Sequence, residues 1–139
     1  MKISDLPVSS LAYIGDAVYE LAVRLAVLSG HKGKSGSVHK LVIDRVNASA
    51  QSKSLTLVTS LLTDQEKALV QRAANHQVPR ARQVDPTEYR RATGFEALIG
   101  YLYLSENWKQ LRKILLAAQP DLDFSQVELP GGKVIHHEI

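Results

Sequence analysis

The sequence predicts an all-α fold in a single domain. Apolar residues recur at helical spacing along most of the 139 residues, and no window alternates apolar and polar residues as a half-buried strand would. Two strong helix-start signals and a proline after the last periodic stretch divide the chain into separate helices. The absence of cysteine excludes disulfides and zinc–thiolate sites.

The first predicted helix spans about residues 10–29. Ser9 or Ser10 can cap its N-terminus, and Gly30 ends it. The helical spacing predicts that one apolar stripe of this helix is buried. That stripe consists of Leu11, Ile14, Val18, Leu21, Leu25 and Leu28.

A turn and two further helices are predicted in the next part of the chain. The segment 31–36 carries two glycines and two lysines and reads as a turn. A helix is predicted over 37–62, with a bend near Asn47. The tetrapeptide TDQE at 63–66 is a capping box, which predicts a helix that ends near residue 75.

The last third of the chain is predicted to hold two helices and a tail. Residues 76–84 are predicted to form a polar loop that contains a proline, and the Asp85-Pro86 start signal predicts a helix over about 86–105. A final helix covers 107–119 and ends at a proline. We therefore predict a helical domain over 1–119 and an extended C-terminal tail over 120–139.

The positive charge of the chain is concentrated in one stretch. The formal net charge is only +3, which an ordinary solvated surface explains. Residues 72–91, however, hold five arginines against two acids. The planar guanidinium is well suited to phosphate, so this stretch is a candidate phosphate-binding surface.

Two apolar helices each carry a carboxylate and a glycine in their interior. Asp16 directly follows Gly15 in LAYIGDAVYE, and Glu96 precedes Gly100 by one turn in GFEALIGYLYL. A glycine inside a helix costs about 1 kcal/mol relative to alanine, and close approach of another backbone is one reason to keep it. We therefore predict that the two helices cross near their carboxylates.

Two carboxylates in a partly buried place require compensation. One acid can hold a proton, an arginine can pair with the acids, or a divalent cation can bind between them. The residue pattern alone favours an ion pair with Arg24, Arg90 or Arg91.

The segments LAYIGDAVYE and YRRATGFEALIGYLYL together resemble the two signature helices of the ribonuclease III catalytic domain. The closer resemblance is to the Mini-ribonuclease III branch, which has that domain without a double-stranded-RNA-binding domain. The resemblance covers about residues 6–118. It implies the helical bundle of the ribonuclease III endonuclease domain.

This resemblance also implies an activity. Asp16 and Glu96 would be the catalytic residues and the ligands of Mg²⁺, which would activate a water and stabilise the phosphate oxygens. The products would carry 5′-phosphate and 3′-hydroxyl ends. The enzyme would be a homodimer that cuts both strands of duplex RNA, with Tyr13 inserted into the partner subunit. The alternative for Tyr13 is a packed core tyrosine.

The chain departs from the larger family at two positions. Acids usually lie four residues before the aspartate and three before the glutamate, where this chain has Ala12 and Thr93. The Mini branch also lacks those acids, and fewer charged ligands imply weaker metal binding. Thr93 and Glu20, one turn after Asp16, are candidates for contacts just outside the metal ligands. For Glu20 the sequence favours a surface or interface position.

Duplex RNA is recognised mainly through its shape, phosphates and 2′-hydroxyls, so the RNA-binding residues are sought on the basic stretch beside Glu96. The segment RAANHQ at 72–77 resembles a basic, asparagine-containing stretch of the branch. Gln51 also lies near positions associated with the branch, although a structural hydrogen bond explains it equally well. The candidate RNA-binding residues are Arg72, Asn75, Arg80 and Arg82.

The resemblance further implies maturation of the ends of 23S ribosomal RNA precursor in a bacterium or plastid. The expected location is the cytoplasm, or the plastid stroma in a plant, with a ribosomal protein as a candidate partner and no membrane. A non-catalytic RNA-binding or ribosome-associated module with the same fold is the main alternative, and Ala12 and Thr93 favour it. A helical protein–protein adaptor is the second alternative.

Overall fold

A computed structural model describes residues 2–30, 35–76 and 85–130. Within these ranges the chain forms α-helices joined by turns and no strand, which confirms the predicted all-α class. Short 3₁₀ turns lie at Ile3–Asp5 and Thr59–Leu61. The helices are α1 (Val8–Gly30), α2 (Ser35–Val46), α3 (Ala48–Val58), α4 (Asp64–Asn75), α5 (Pro86–Leu104) and α6 (Trp108–Ala118).

Side-chain caps set several helix starts. The side chain of Asn47 accepts a hydrogen bond from the Ala50 N–H at 2.8 Å, so the bend predicted within 37–62 is a complete break between α2 and α3. The capping box at α4 is present as predicted. The Glu66 N–H donates to the Thr63 hydroxyl at 3.1 Å, and the Glu66 carboxylate accepts from the Thr63 N–H at 2.9 Å.

Helix α5 lies at the centre of the core. It packs against α1, α3, α4 and α6, and four of its large apolar side chains are completely buried. The ring of Phe95 meets the ring of Tyr19 from α1 edge to face, with their centroids 4.9 Å apart. The four buried side chains are Phe95, Leu98, Ile99 and Leu102.

The stripe predicted for α1 is partly wrong. Leu11 and Val18 are buried, but Leu21 and Leu28 are 37% and 55% exposed. Four of the nine buried residues of α1 are glycine or alanine, and Gly15 lies where the backbone of α1 meets that of α5. The buried residues of α1 are Leu11, Ala12, Gly15, Val18, Tyr19, Ala22, Val23, Ala26 and Val27.

A buried polar network joins α1, α2 and α3 to the end of α6. Gln119 donates from Nε2 to the Tyr19 hydroxyl at 2.7 Å, and the Ser54 hydroxyl donates to the Ala118 carbonyl at 3.2 Å. At the surface beside this network, Nη1 and Nη2 of Arg45 donate to the exposed carboxylate of Asp121. The bonds of Gln119 and Ser54 satisfy polar groups that the packing of the helices removes from water.

The first part of the predicted tail packs against the helices. Residues 120–130 contain turns but no helix, and Phe124 and Leu129 are buried against α6. The Tyr103 hydroxyl donates to the Pro130 carbonyl at 3.0 Å. The boundary at residue 119 stays a prediction. In the described part of the chain, no helix has both the length and the apolarity that a membrane crossing requires.

Candidate active site

The candidate site lies where α1 crosses α5. A Cβ atom built on Gly15 would overlap the carbonyl oxygen of Glu96 and lie 2.7 Å from the Gly100 amide nitrogen. A Cβ built on Gly100 would overlap the carbonyl oxygen of Leu11. The two backbones touch at these glycines, as predicted, and alanine at either position would force the helices apart.

This crossing brings the carboxyl groups of Asp16 and Glu96 together. Asp16 is exposed and Glu96 is half-buried. Burial, together with the hydrogen bond and negative charge of Asp16, raises the pKa of Glu96 from 4.5 to about 8, whereas the Gln51 amide opposes the rise. Near neutral pH the pair therefore holds a proton unless another positive charge replaces it.

The predicted ion pair with an arginine is wrong. Arg24 pairs with Glu20 at 2.5 Å, one turn away along α1. Arg91 donates to the Ser52 hydroxyl at 2.8 Å and to the Thr56 hydroxyl at 2.6 Å. No arginine or lysine within the described ranges forms an ion pair with either carboxylate of the site.

The residues at the crossing fit a magnesium ion. Mg²⁺ prefers oxygen ligands and is commonly bound by one or two carboxylates together with waters and substrate phosphates. Asp16 and Glu96 supply two such carboxylates. The Gln51 side chain interacts with Glu96, and its buried Oε1 has no hydrogen-bond partner. Residues 2–30, 35–76 and 85–130 contain no group of three acids or histidines that could hold a metal.

Glu20 and Thr93, the candidates for contacts just outside the metal ligands, both bond to groups other than Asp16 and Glu96. The Glu20 carboxylate is held by Arg24. Thr93 is buried, and its hydroxyl donates to the Tyr89 carbonyl of its own helix at 3.0 Å. Ala12 is also buried, in a small apolar cluster between α1, α4 and α5. None of these three side chains supplies a further charged ligand to the crossing.

An open groove runs along the exposed side of α1 beside Asp16. Tyr13 is 80% exposed, which rules out the alternative that it is a core tyrosine of this chain. The exposed side chain of Leu21 lies on the same groove. The groove is lined by Tyr13, Ile14, Asp16, Ala17, Glu20, Leu21 and Arg24.

Two of the four candidate RNA-binding residues lie in the described part of the chain. Arg72 and Asn75 are exposed in the last turn of α4, and Asn75 accepts a hydrogen bond from Gln71 at 3.0 Å. A Cβ on Gly94 would lie 2.8 Å from the Val70 carbonyl oxygen, so this end of α4 runs beside the part of α5 that precedes Glu96. Arg80 and Arg82 lie outside the described residues.

The sequence left the role of Gln51 open. The structure places its side chain beside Glu96, although α3 precedes α5 by a whole intervening helix. No local pattern marks this contact, because a glutamine in the first turn of a helix is common. Only the packing of α3 on α5 brings the amide to Glu96.

The chain is similar to known proteins along most of its length. Residues 9–107 match the family model described as Ribonuclease III domain. A Symbiobacterium thermophilum protein named Mini-ribonuclease 3 is 39% identical over 124 residues, which cover 87% of this chain and 94% of that protein. A Kosmotoga olearia protein, also named Mini-ribonuclease 3, is 35% identical over 118 residues, which cover 85% of this chain and 81% of that protein. The X-ray crystal structure of a Fusobacterium nucleatum protein matches with a TM-score of 0.73 at 32% identity and covers 81% of this chain and 91% of that one.

Proposed function

The chain belongs to the ribonuclease III family, in its Mini-ribonuclease III branch, and we propose that it is a Mg²⁺-dependent endoribonuclease that cleaves double-stranded RNA. The observation that carries this proposal is the contact of Asp16 with Glu96 across two helices whose glycines touch. If the two acids belonged to a structural ion pair, an arginine would contact them. Within the described ranges no arginine pairs with either acid.

Asp16 and Glu96 would hold the cation. When bound, Mg²⁺ supplies a Lewis acid that activates a water and stabilises the charge on the phosphate oxygens. Gly15 and Gly100 keep the two helices in contact and so fix the separation of the two acids. Glu96 must release the proton that its raised pKa retains, because a carboxylate binds metal in its ionised form.

We propose a homodimer that forms through the exposed side of α1. The 80% exposed ring of Tyr13 and the apolar side chains of Leu21 and Leu28 lie on this helix. Large apolar side chains left exposed along one helix are typical of an interface. Because Asp16 lines the same groove as Tyr13, each subunit's acids lie next to this interface, so two centres are available for the two strands of a duplex.

Arginines beside the site would hold the duplex. Arg72 and Asn75 lie at the end of α4 that runs beside α5, and we assign Arg80 and Arg82 to the same phosphate-binding stretch. The products would carry 5′-phosphate ends. We propose 23S ribosomal RNA precursor as substrate, a ribosomal protein as helper, and the cytoplasm or the plastid stroma as location.

A non-catalytic RNA-binding module with the same fold is the second candidate function. The observation that favours it is the scarcity of ligands, since Ala12 and Thr93 add no charge to the crossing and the described residues contain no group of three acids or histidines. Such a module would bind duplex RNA without any dependence on Asp16 or Glu96.

One assay separates the two functions. Long duplex RNA is incubated with the protein, with and without Mg²⁺, and the products are resolved on a gel. The wild type should cut only with Mg²⁺, whereas Asp16→Asn and Glu96→Gln should bind the duplex without cutting it. Asp44→Asn is the matched control, because Asp44 is another exposed helical aspartate on α2. Binding without cutting by the wild type would support the module, and cutting by Asp16→Asn would remove that residue from the chemistry.

A further inference from the structure

Gln51 lies at the point where α2, α3 and α5 meet. Its side chain is 2% exposed, although it belongs to the first turn of α3. The Nε2 atom donates to the Val46 carbonyl at the end of α2 at 2.9 Å. The same amide interacts with Glu96 on α5. One side chain therefore ties the α2–α3 junction to a carboxylate of the candidate site.

The other end of this amide has no protein partner. Oε1 of Gln51 is buried and accepts no hydrogen bond. A buried polar oxygen without a partner keeps its full desolvation penalty, so such atoms are rare in folded proteins. The described residues contain one comparable atom, the indole nitrogen of Trp108, which lies on α6. An oxygen in this state, on an amide that interacts with Glu96, points to a partner that the protein itself does not provide.

We propose that Gln51 is a positioning residue of the magnesium centre, and that it holds Glu96 through Nε2 while Oε1 accepts a hydrogen bond from the hydration shell of the cation. This inference rests on the function proposed above. Mg²⁺ gives up its water reluctantly and usually keeps several molecules when a protein binds it. Waters held in that way would satisfy the oxygen that is unpartnered in the polypeptide.

An amide side chain suits this position better than a third carboxylate would. Glutamine offers an N–H donor and an oxygen acceptor on one planar group, so it can bind Val46 and Glu96 and still present Oε1. A glutamate would lose the bond to the Val46 carbonyl and place a further negative charge against Glu96. The amide thus organises a site that has only two acids.

The test is the affinity for Mg²⁺, measured by calorimetry on the full chain without RNA. Gln51→Met keeps the length of the side chain and removes both hydrogen-bonding groups. It should weaken Mg²⁺ binding by about 10–100-fold, the usual effect of removing a residue that orients metal ligands. Ser54→Ala is the control, because Ser54 is another buried polar residue of α3 whose bonds go to Ala118 and Tyr19. Its affinity should equal that of the wild type.

The Mg²⁺ dependence of cleavage gives a second measurement. Gln51→Met should need about 10–100-fold more Mg²⁺ for half-maximal cutting and should recover cutting at saturating Mg²⁺. A residue that only supported folding would lower the thermal midpoint of unfolding without moving the Mg²⁺ requirement. An unchanged dissociation constant in folded Gln51→Met overturns the inference.

A measurement on the wild type decides the question if Gln51→Met does not fold. The side-chain amide signals of Gln51 should shift during a Mg²⁺ titration followed by NMR, and those of Gln119, the buried amide near Tyr19, should not. Gln51 signals that stay unmoved at saturating Mg²⁺ overturn the inference. If the wild type cuts RNA with Mg²⁺ while these tests fail, only the inference is lost. If the wild type neither binds Mg²⁺ nor cuts, the proposed function fails as well.

Discussion

The raised pKa of Glu96 predicts how the stability of the metal-free protein depends on pH. The folded-state pKa is about 8, whereas the ordinary value is 4.5. Below pH 4.5 the Glu96 carboxyl is protonated in the folded and the unfolded chain, so it does not make the free energy of unfolding depend on pH. Between pH 4.5 and 8 the unfolded chain releases a proton that the folded chain keeps. The free energy of unfolding therefore falls by about 1.4 kcal/mol for each pH unit in this window.

From pH 5.5 to 7.5 this single group should lower the free energy of unfolding by about 2–3 kcal/mol. The Glu96→Gln variant has no proton to release and should lose that part of the pH dependence. Urea unfolding of both proteins in the presence of EDTA, at pH 5.5 and pH 7.5, measures the difference directly. The two proteins share every other titratable residue, so the comparison isolates the contribution of Glu96.

Added Mg²⁺ should restore the free energy of unfolding that is lost at pH 7.5, because a cation that binds the folded state replaces the proton on Glu96. At a Mg²⁺ concentration of about 100 times the dissociation constant, the gain should be about 2.7 kcal/mol. Asp16→Asn should show a much smaller gain. If the wild type and Glu96→Gln have the same pH dependence in EDTA, the carboxyl of Glu96 is neither buried nor held in contact with Asp16, and the reasoning about the site fails.

Three further predictions test the helix crossing, the interface and the RNA-binding stretch. Gly15→Ala should lower the free energy of unfolding by about 3 kcal/mol or more, because its Cβ meets backbone atoms that cannot rotate away. Gly36→Ala, where nothing lies within 4 Å of an added Cβ, should leave stability unchanged or raise it by up to about 1 kcal/mol. Tyr13→Ser should shift the protein from dimer to monomer in sedimentation without loss of helix, and an unchanged mass would place the interface elsewhere. Arg72→Ala should weaken duplex binding and reduce the slope of log affinity against log salt by about 1, whereas Lys67→Ala, an exposed change earlier in α4, should not; equal slopes would remove Arg72 from the RNA contacts.

The helices were predictable because their limits depend on local chemistry. A cap such as Thr63 with Glu66, or Asp85 before a proline, satisfies backbone groups within one turn, and the residues that do so are adjacent in the sequence. The crossing of α1 and α5 was predictable for a related reason. Gly15 and Gly100 lie in helices that otherwise favour larger side chains, so the absence of a Cβ at these positions indicates close contact with another backbone.

Other features depended on packing between distant segments. The large side chains of Leu21 and Leu28 suggested burial, but α5 meets the small residues of α1 and leaves these leucines exposed. An arginine was expected at the acids, with Arg24, Arg90 and Arg91 as candidates. Arg24 binds Glu20 on its own helix instead, and Arg91 binds Ser52 and Thr56.

By itself, the amino-acid sequence determined the helical class, most helix limits and the family, and it singled out Asp16 and Glu96 as candidates, because these follow from residues close together in the chain. Only the tertiary structure decided which side of α1 is exposed, that no arginine or lysine of the described residues pairs with Asp16 or Glu96, and that Gln51 reaches Glu96. Those outcomes depend on how α3 and α5 pack, and packing energy belongs to pairs of surfaces rather than to any one segment.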